Sequence, residues 1–126
     1  FINGCIAGGK NYFHINSLGD MEPCVFIHYS DSNIREKTIK ECLTSPLFMG
    51  FHDNQPFNKN LLKPCPMLEN PGRLTKIVND SGARNTDMIA PESAEDLQVK
   101  TTPYAMAWNK KANELWDESR KKREEA

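Results

Sequence analysis

The sequence lacks any long hydrophobic run and any excess of charge of one sign. No apolar stretch approaches the roughly 20 residues that span a bilayer, so we expect no membrane partner. Sixteen basic residues balance seventeen acidic ones, and the formal net charge is −1. A chain without a positive field has no general attraction for the phosphates of nucleic acid. We therefore expect no nucleic-acid partner either.

Cysteine is also scarce, with four residues among 126. Disulfide scaffolds usually carry roughly 8 to 10% cysteine, and this chain is long enough to bury a core of its own. The sequence runs from Phe1 into Asn3-Gly4-Cys5 without the charged leader and cleavage site of a secretory signal. We therefore predict a fragment of a longer cytoplasmic protein, in which the thiols are reduced and act as ligands or core residues.

The residues that are present begin with a β-hairpin pattern over 10–27. Two β-prone runs flank a turn, and Gly19 can adopt the positive φ that such a turn requires. Pro23 removes one backbone donor from the second strand, which predicts an edge or a bulge beside Cys24.

Helical patterns follow the hairpin. They predict helices over 34–43 after caps at 31–33, from Ser45-Pro46, from Asn70-Pro71 to Gly82, over 91–99 and from Thr102-Pro103 onward. Residues 53–70 lack periodicity and predict a long ordered loop, and residues 83–90 predict a connector. We expect an α+β fold over 1–126 as a single domain, with a small antiparallel hairpin followed by several packed helices.

The last helix carries an aromatic stripe. Helical spacing predicts one stripe packed inward through its aromatics, formed by Tyr104, Trp108, Ala112, Leu115 and Ser119. Trp108 and Trp116, eight residues apart, suit either core packing or a docking surface. The charged residues 117–126 predict an end that frays into solvent.

Three cysteines have a spacing that points to a shared site. Thirteen residues separate Cys5 from Gly19, and four separate Gly19 from Cys24, so the hairpin would bring both thiols to the same end of one unit. Cys65 lies between two prolines, and such a loop has few conformations to lose when it holds a ligand. Cys65 is therefore the candidate third ligand.

The runs Cys5-Ile6-Ala7-Gly8, Phe13-His14-Ile15 and Gly19-Asp20-Met21-Glu22-Pro23-Cys24 resemble the opening of the SPASM or twitch domains. These domains follow the catalytic barrel in many radical S-adenosylmethionine enzymes. The segment 33–48 is similar to the helical part that follows the hairpin in that family. The resemblance covers roughly the first half of the chain, 1–68.

The resemblance implies that Cys5, Cys24 and Cys65 bind one auxiliary 4Fe–4S cluster. It also implies an oxidoreductase whose N-terminal barrel, absent from this sequence, holds S-adenosylmethionine and a second cluster and acts on an unknown substrate. Residues 69–126 would be a helical extension. The Cys-x-x-x-Cys-x-x-Cys motif of the catalytic cluster is absent, so the chain alone would not be catalytic.

The sequence departs from the full SPASM pattern after Cys65, because no Cys-x-x-Cys pair follows. A cubane cluster normally binds four thiolates. The fourth position is therefore left to Cys42, a barrel residue, a histidine, the substrate or nothing. Cys42 shares a helical face with Ile39 and Leu43, which predicts a packed core thiol.

Two other interpretations stay open. Three cysteines and one histidine also suit a structural zinc ion, and a metal-free domain could instead cover the active site and select a substrate or peptide. His14, His28 and His52 are predicted to be surface or partly buried structural residues. Gly8-Gly9 lacks the spacing of a dinucleotide fingerprint and predicts a sharp turn or a backbone close to a cluster.

Overall fold

The computed structural model of the chain describes residues 3–126. Phe1 and Ile2, at the start of the segment predicted to lack a secretory leader, lie outside the described residues. The fold is α+β, as predicted, with two small antiparallel sheets and four helices. The elements are β1 (His14–Ile15), β2 (Met21–Glu22), β3 (Tyr29–Ser30), α1 (Ile39–Leu43), α2 (Pro46–Asp53), α3 (Pro71–Ser81), β4 (Arg84–Asn85) and α4 (Ala94–Glu124).

The predicted hairpin is present, although each strand has only two residues. β1 pairs with β2, and His14 lies opposite Glu22. The Asn16 side-chain oxygen accepts from the backbone N–H of Asp20 at 3.0 Å, and Gly19 has φ of 88°. The turn therefore forms through a side chain that replaces a backbone acceptor and through the residue that tolerates a positive φ.

A second sheet forms where the sequence predicted only a connector. β3 pairs with β4, with Tyr29 opposite Asn85 and Ser30 opposite Arg84. The Arg84 guanidinium also contacts the buried Asp20 carboxylate at 2.5 Å. The prediction for 83–90 was wrong because the pairing partner of β4 lies more than fifty residues earlier in the chain, and local sequence carries no signal for it.

The first helix is shorter than predicted and begins at a different cap. α1 starts after Thr38, whose hydroxyl accepts from the Glu41 N–H while the Glu41 carboxylate accepts from the Thr38 N–H. The predicted caps at 31–33 are wrong. Asp31 instead accepts from the backbone N–H of Leu47 at 2.9 Å, in the first turn of α2. Its carboxylate therefore serves a helix that begins fifteen residues later.

The predicted boundaries of α2 and α3 are confirmed. The Ser45 hydroxyl caps α2 by accepting from Phe48 N–H, and Pro46 occupies the first turn. α3 begins at Pro71 and ends before Gly82, which has φ of 69°. These three boundaries are determined by residues within one turn of the helix end, which is why the sequence predicted them.

The two predicted C-terminal helices are one helix. α4 runs from Ala94 to Glu124 with Pro103 inside it, and it continues through most of the charged segment that was predicted to fray. The stripe prediction was wrong for Tyr104, which is 70% exposed. Trp108 is half-buried and donates through Nε1 to the carbonyl oxygen of Leu62 at 3.0 Å.

The main core lies between α2, α3 and the start of α4, where Phe51 and Phe57 pack edge to face with ring centres 5.8 Å apart. A smaller cluster contains Met21, Cys42 and Phe48. Cys42 is fully buried there, which confirms its prediction as a core thiol. Within residues 3–126, no helix is long and apolar enough to cross a membrane.

Candidate functional site

Cys5, Cys24 and Cys65 line one cavity of about 230 Å³. The three thiols come from separate parts of the chain, namely the segment before β1, the segment after β2 and the loop before α3. The other lining residues are Gly8, Phe26, Ile27, Pro66, Met67 and Leu68. The structure therefore brings together the three residues that the sequence singled out, in an apolar enclosure.

Cys5 is held by a glutamine from the loop after α2. Gln55 Oε1 accepts from the Cys5 N–H at 3.1 Å, and Gln55 Nε2 donates to the Cys5 carbonyl at 3.2 Å. The amide side chain thus binds both backbone polar groups of Cys5 and fixes the position of its Cα relative to the loop.

The turn after Cys5 requires glycine. Gly8 has φ of 51°, and a Cβ there would lie 2.7 Å from Gln55 Nε2. The next residue, Gly9, donates its N–H to the Pro23 carbonyl at 3.3 Å, which ties this turn to the segment that carries Cys24. The prediction of a sharp turn at Gly8-Gly9 is confirmed.

Cys24 follows the buried Pro23 at the end of the hairpin. Its carbonyl accepts from the Ile27 N–H at 3.1 Å, and the two residues form an isolated antiparallel bridge. This tight turn follows the end of β2 and turns the chain beside the cavity. Desolvation raises the pKa of Tyr12, and the Cys24 thiol adds to that shift.

Cys65 lies in a compact turn closed by two polar side chains. Its N–H donates to Glu69 Oε2 at 2.6 Å, and its carbonyl accepts from Asn70 Nδ2 at 3.1 Å. The backbone N–H of Leu68 approaches Cys65 Sγ at 3.4 Å. This loop therefore fixes the sulfur and supplies it with a hydrogen-bond donor.

Burial controls the electrostatics of the cavity. Desolvation raises the pKa of the Cys5 thiol, and the N–H of Ala7 opposes that shift. Desolvation also raises the pKa of the Cys65 thiol and of the Glu69 carboxyl. Buried thiols of this kind stay neutral unless a positive charge enters the cavity. A metal that binds them must therefore displace their protons.

The described residues contain no preformed site for a metal ion. In the part of the chain that the structure describes, no three His, Cys, Asp or Glu side chains converge closely enough to hold one metal ion. Cys42 belongs to the cluster with Met21 and Phe48 rather than to the cavity, so it does not supply a fourth ligand.

The histidines lie elsewhere. His14 and His28 both contact Glu22, and the exposed His52 lies 3.1 Å from Asp53. All three are surface or partly buried, as predicted. None of them lines the cavity, so no histidine of residues 3–126 offers a fourth ligand in this conformation.

Two residues that build the site were missed by sequence reasoning. Gln55 acts from the segment after α2 on a residue fifty positions earlier in the chain, and no local pattern marks it. Glu69 had a weak signal, because it follows Cys65 by four residues in a loop rich in proline, where few backbone donors can pair locally. Both orient a cysteine through its backbone and leave the thiol free.

No family model, curated protein or solved structure gives a significant match to this chain.

Proposed function

We propose that this chain is the auxiliary iron–sulfur domain of a radical S-adenosylmethionine oxidoreductase. It would hold one 4Fe–4S cluster through Cys5, Cys24 and Cys65. The observation that carries the proposal is the convergence of these three thiols on one apolar cavity. The resemblance to SPASM domains implies these same three residues as cluster ligands.

The donor set suits a cluster. Soft thiolate ligands favour iron–sulfur clusters over hard cations. The Leu68 N–H at 3.4 Å from Cys65 Sγ is the kind of donor to sulfur that tunes a reduction potential. The apolar walls include the buried Pro66 and the partly buried Met67, and all three cysteines are partly shielded from water. The residues present therefore fit the group that the resemblance implies.

Single-ion zinc fits less well. Around a tetrahedral zinc ion with Zn–S bonds near 2.3 Å, thiolates lie only about 3.8 Å apart. No three potential ligands in residues 3–126 converge in this way. Thiolates that each bind a different iron of a cubane lie farther apart, so a cluster demands less convergence of the three thiols than a zinc ion does.

Three thiolates leave one iron without a cysteine from this chain, because Cys42 is buried in a separate cluster. When bound, such a cluster supplies one-electron redox chemistry and an iron to which an external ligand can bind. We propose that the partner at this position is the substrate or a residue of an N-terminal barrel in the parent chain. That barrel would also bind S-adenosylmethionine and a second cluster.

We further propose a cytoplasmic location. All four cysteines are free, and a reducing compartment keeps thiols available as cluster ligands.

The test is anaerobic reconstitution with iron and sulfide, followed by iron analysis, acid-labile sulfide analysis and a visible spectrum. We expect about four irons and four sulfides per chain. Cys5→Ser, Cys24→Ser and Cys65→Ser should each lose most of them. Cys42→Ala is the matched control, since it removes a thiol outside the cavity and should retain the full complement.

Two results would overturn the proposal. Stoichiometric zinc without sulfide would assign the cavity to a structural metal. Failure to retain iron in the unsubstituted chain and in its parent protein, with folding unaffected by the three serine substitutions, would leave a metal-free binding domain.

A further inference from the structure

A second cleft lies outside the cysteine cavity, between the hairpin and the residues that follow β4. It has a volume of about 370 Å³. Its polar walls include His14, Glu22, His28 and Asp87, and Met88 and Ile89 form part of its rim. We call it the histidine cleft, and the proposed iron–sulfur function makes no use of it.

Glu22 lines this cleft and contacts both of its histidines. It is completely buried, and its two oxygens face different imidazoles. Oε1 lies 2.8 Å from His14 Nδ1, and Oε2 lies 3.4 Å from His28 Nδ1. The Thr86 hydroxyl also donates to Oε2. A buried carboxylate with three polar neighbours holds both rings in fixed orientations.

The orientation of the rings determines what they present to the cleft. A carboxylate only accepts hydrogen bonds, so the Nδ1 of His14, 2.8 Å from Glu22 Oε1, carries the proton. The Nδ1 of His28 faces the same carboxylate at 3.4 Å, which favours the same tautomer. In a neutral imidazole the lone pair is then on Nε2. The side chains of His14 and His28 are 36% and 41% exposed. Since Nδ1 faces the buried Glu22, the exposed edge of each ring is the one that carries an acceptor.

Asp87 adds a negative charge at the mouth. Its Oδ1 accepts from the N–H groups of Ile89 at 2.8 Å and Ala90 at 3.0 Å. These bonds lower the pKa of Asp87, so the carboxylate is ionised at neutral pH and its Oδ2 remains for a ligand. No lysine or arginine lines the cleft in the described part of the chain, so its acceptors face no basic side chain of their own.

We propose that the histidine cleft binds the cationic head of an alkyl guanidinium or alkyl ammonium group, such as a basic side chain. His14 Nε2, His28 Nε2 and Asp87 Oδ2 are the acceptors for its N–H donors. Met88 and Ile89 are 62% and 95% exposed, and they provide apolar surface for the aliphatic stem. A guanidinium offers five donors in one plane, which matches acceptors spread around a cleft.

An extended organic cation fits this cleft better than a bare metal ion. A metal ion needs three or more ligands within its short bond lengths, and residues 3–126 contain no such convergence of His, Cys, Asp or Glu. A guanidinium spreads its charge and its donors over several ångströms, so acceptors that do not converge on one point can still bind it.

The test compares two ligands that differ in charge but hardly in shape. The 126-residue chain is titrated with N-acetyl-arginine methylamide and with its neutral isostere N-acetyl-citrulline methylamide, with calorimetry and the imidazole proton signals of His14 and His28 as readouts. We expect the arginine ligand to shift both imidazole signals and to bind at least about tenfold more tightly, as expected for one lost charge-assisted contact.

Asp87→Asn should weaken the arginine ligand about tenfold and keep the Asn side-chain oxygen as acceptor for Ile89 and Ala90. Asp53→Asn is the matched control, because Asp53 also lies beside a histidine but on α2, and it should change nothing. Agmatine, a free alkyl guanidine, distinguishes a small-molecule ligand from a peptide side chain. Equal binding of agmatine favours a small amine, and weaker binding favours a peptide.

Three outcomes would overturn the proposal. The first is equal binding of the arginine and citrulline ligands, and the second is no shift at His14 and His28 with either cation. The third is displacement of the arginine ligand by stoichiometric Zn²⁺ that binds both imidazoles, which would make the cleft a metal site.

Discussion

Gln55 holds Cys5 by both of its backbone polar groups, through Oε1 to the Cys5 N–H at 3.1 Å and Nε2 to the Cys5 carbonyl at 3.2 Å. Gln55→Ala removes both hydrogen bonds. Each is worth roughly 0.5 to 1.5 kcal/mol, so we expect the free energy of unfolding in urea to fall by about 1 to 3 kcal/mol. Gln98→Ala on α4 is the control and should cost less. An unchanged midpoint for Gln55→Ala would show that the loop does not depend on this contact.

The Glu69 side chain closes the loop that presents Cys65. Glu69→Gln keeps an oxygen acceptor for the Cys65 N–H, whereas Glu69→Ala leaves that partly buried donor unpaired. We expect Glu69→Ala to lose about 1 to 3 kcal/mol of stability and Glu69→Gln to lose less. The measurement is urea denaturation of both variants. Equal losses would mean that charge, and not the hydrogen bond, is the important property.

Cys42 tests whether the fourth thiol is purely structural. It is fully buried with Met21 and Phe48, so Cys42→Ser places a hydroxyl in an apolar cluster and should cost roughly 1 to 3 kcal/mol. Cys42→Ala introduces no polar group and should be milder. Thermal unfolding measures both. A serine variant as stable as the unsubstituted chain would contradict the burial of this side chain.

Pro103 lies inside α4, where it offers no N–H to the preceding turn. Proline in a helix interior costs about 3 kcal/mol relative to alanine, so Pro103→Ala should stabilise the chain by up to about that amount. Pro71→Ala is the control, because proline at the first position of α3 costs little. Differential scanning calorimetry of the two variants measures the change in stability. Destabilisation by Pro103→Ala would contradict a helix that continues without interruption through position 103.

The capping box of α1 gives a pH prediction. Hydrogen bonds from the Thr38 backbone N–H and hydroxyl lower the pKa of Glu41. Because the pKa in the folded state is lower than in the unfolded state, this contribution is present above the unfolded pKa of about 4.3. It is lost as the pH falls through the folded value.

An NMR titration of the Glu41 carboxyl measures this directly. We expect a midpoint below that of an unstructured glutamate, and Thr38→Val should move it upward. A midpoint that Thr38→Val does not change would show that the cap does not stabilise the carboxylate.

Much of the fold could be predicted from short segments. The hairpin turn at Gly19, the start of α2 at Ser45-Pro46 and the end of α3 at Gly82 all depend on residues within one turn of the feature. Such local backbone chemistry is the same in any tertiary context. The three cavity cysteines could likewise be singled out from their spacing and the motifs around them.

Other features required the packed structure. The pairing of β3 with β4 joins distant segments. Its hydrogen bonds stabilise the fold only after the entropy cost of closing the long intervening loop has been overcome. The continuation of α4 through Pro103 shows that the rest of the structure can outweigh a local helix-breaking preference.

By itself, the sequence determined the α+β class, the hairpin turn at Gly19, the start of α2, both ends of α3, and which three thiols form a candidate site. Only the tertiary structure decided that Gln55 and Glu69 orient two of those thiols, that Cys42 lies apart from them, and that Glu22 faces two histidines in a second cleft. The physical reason is that turns and caps are local interactions, whereas each site also needs a contact between distant segments. Gln55 binds Cys5 from fifty residues away, and Thr86 binds Glu22 from sixty-four residues away.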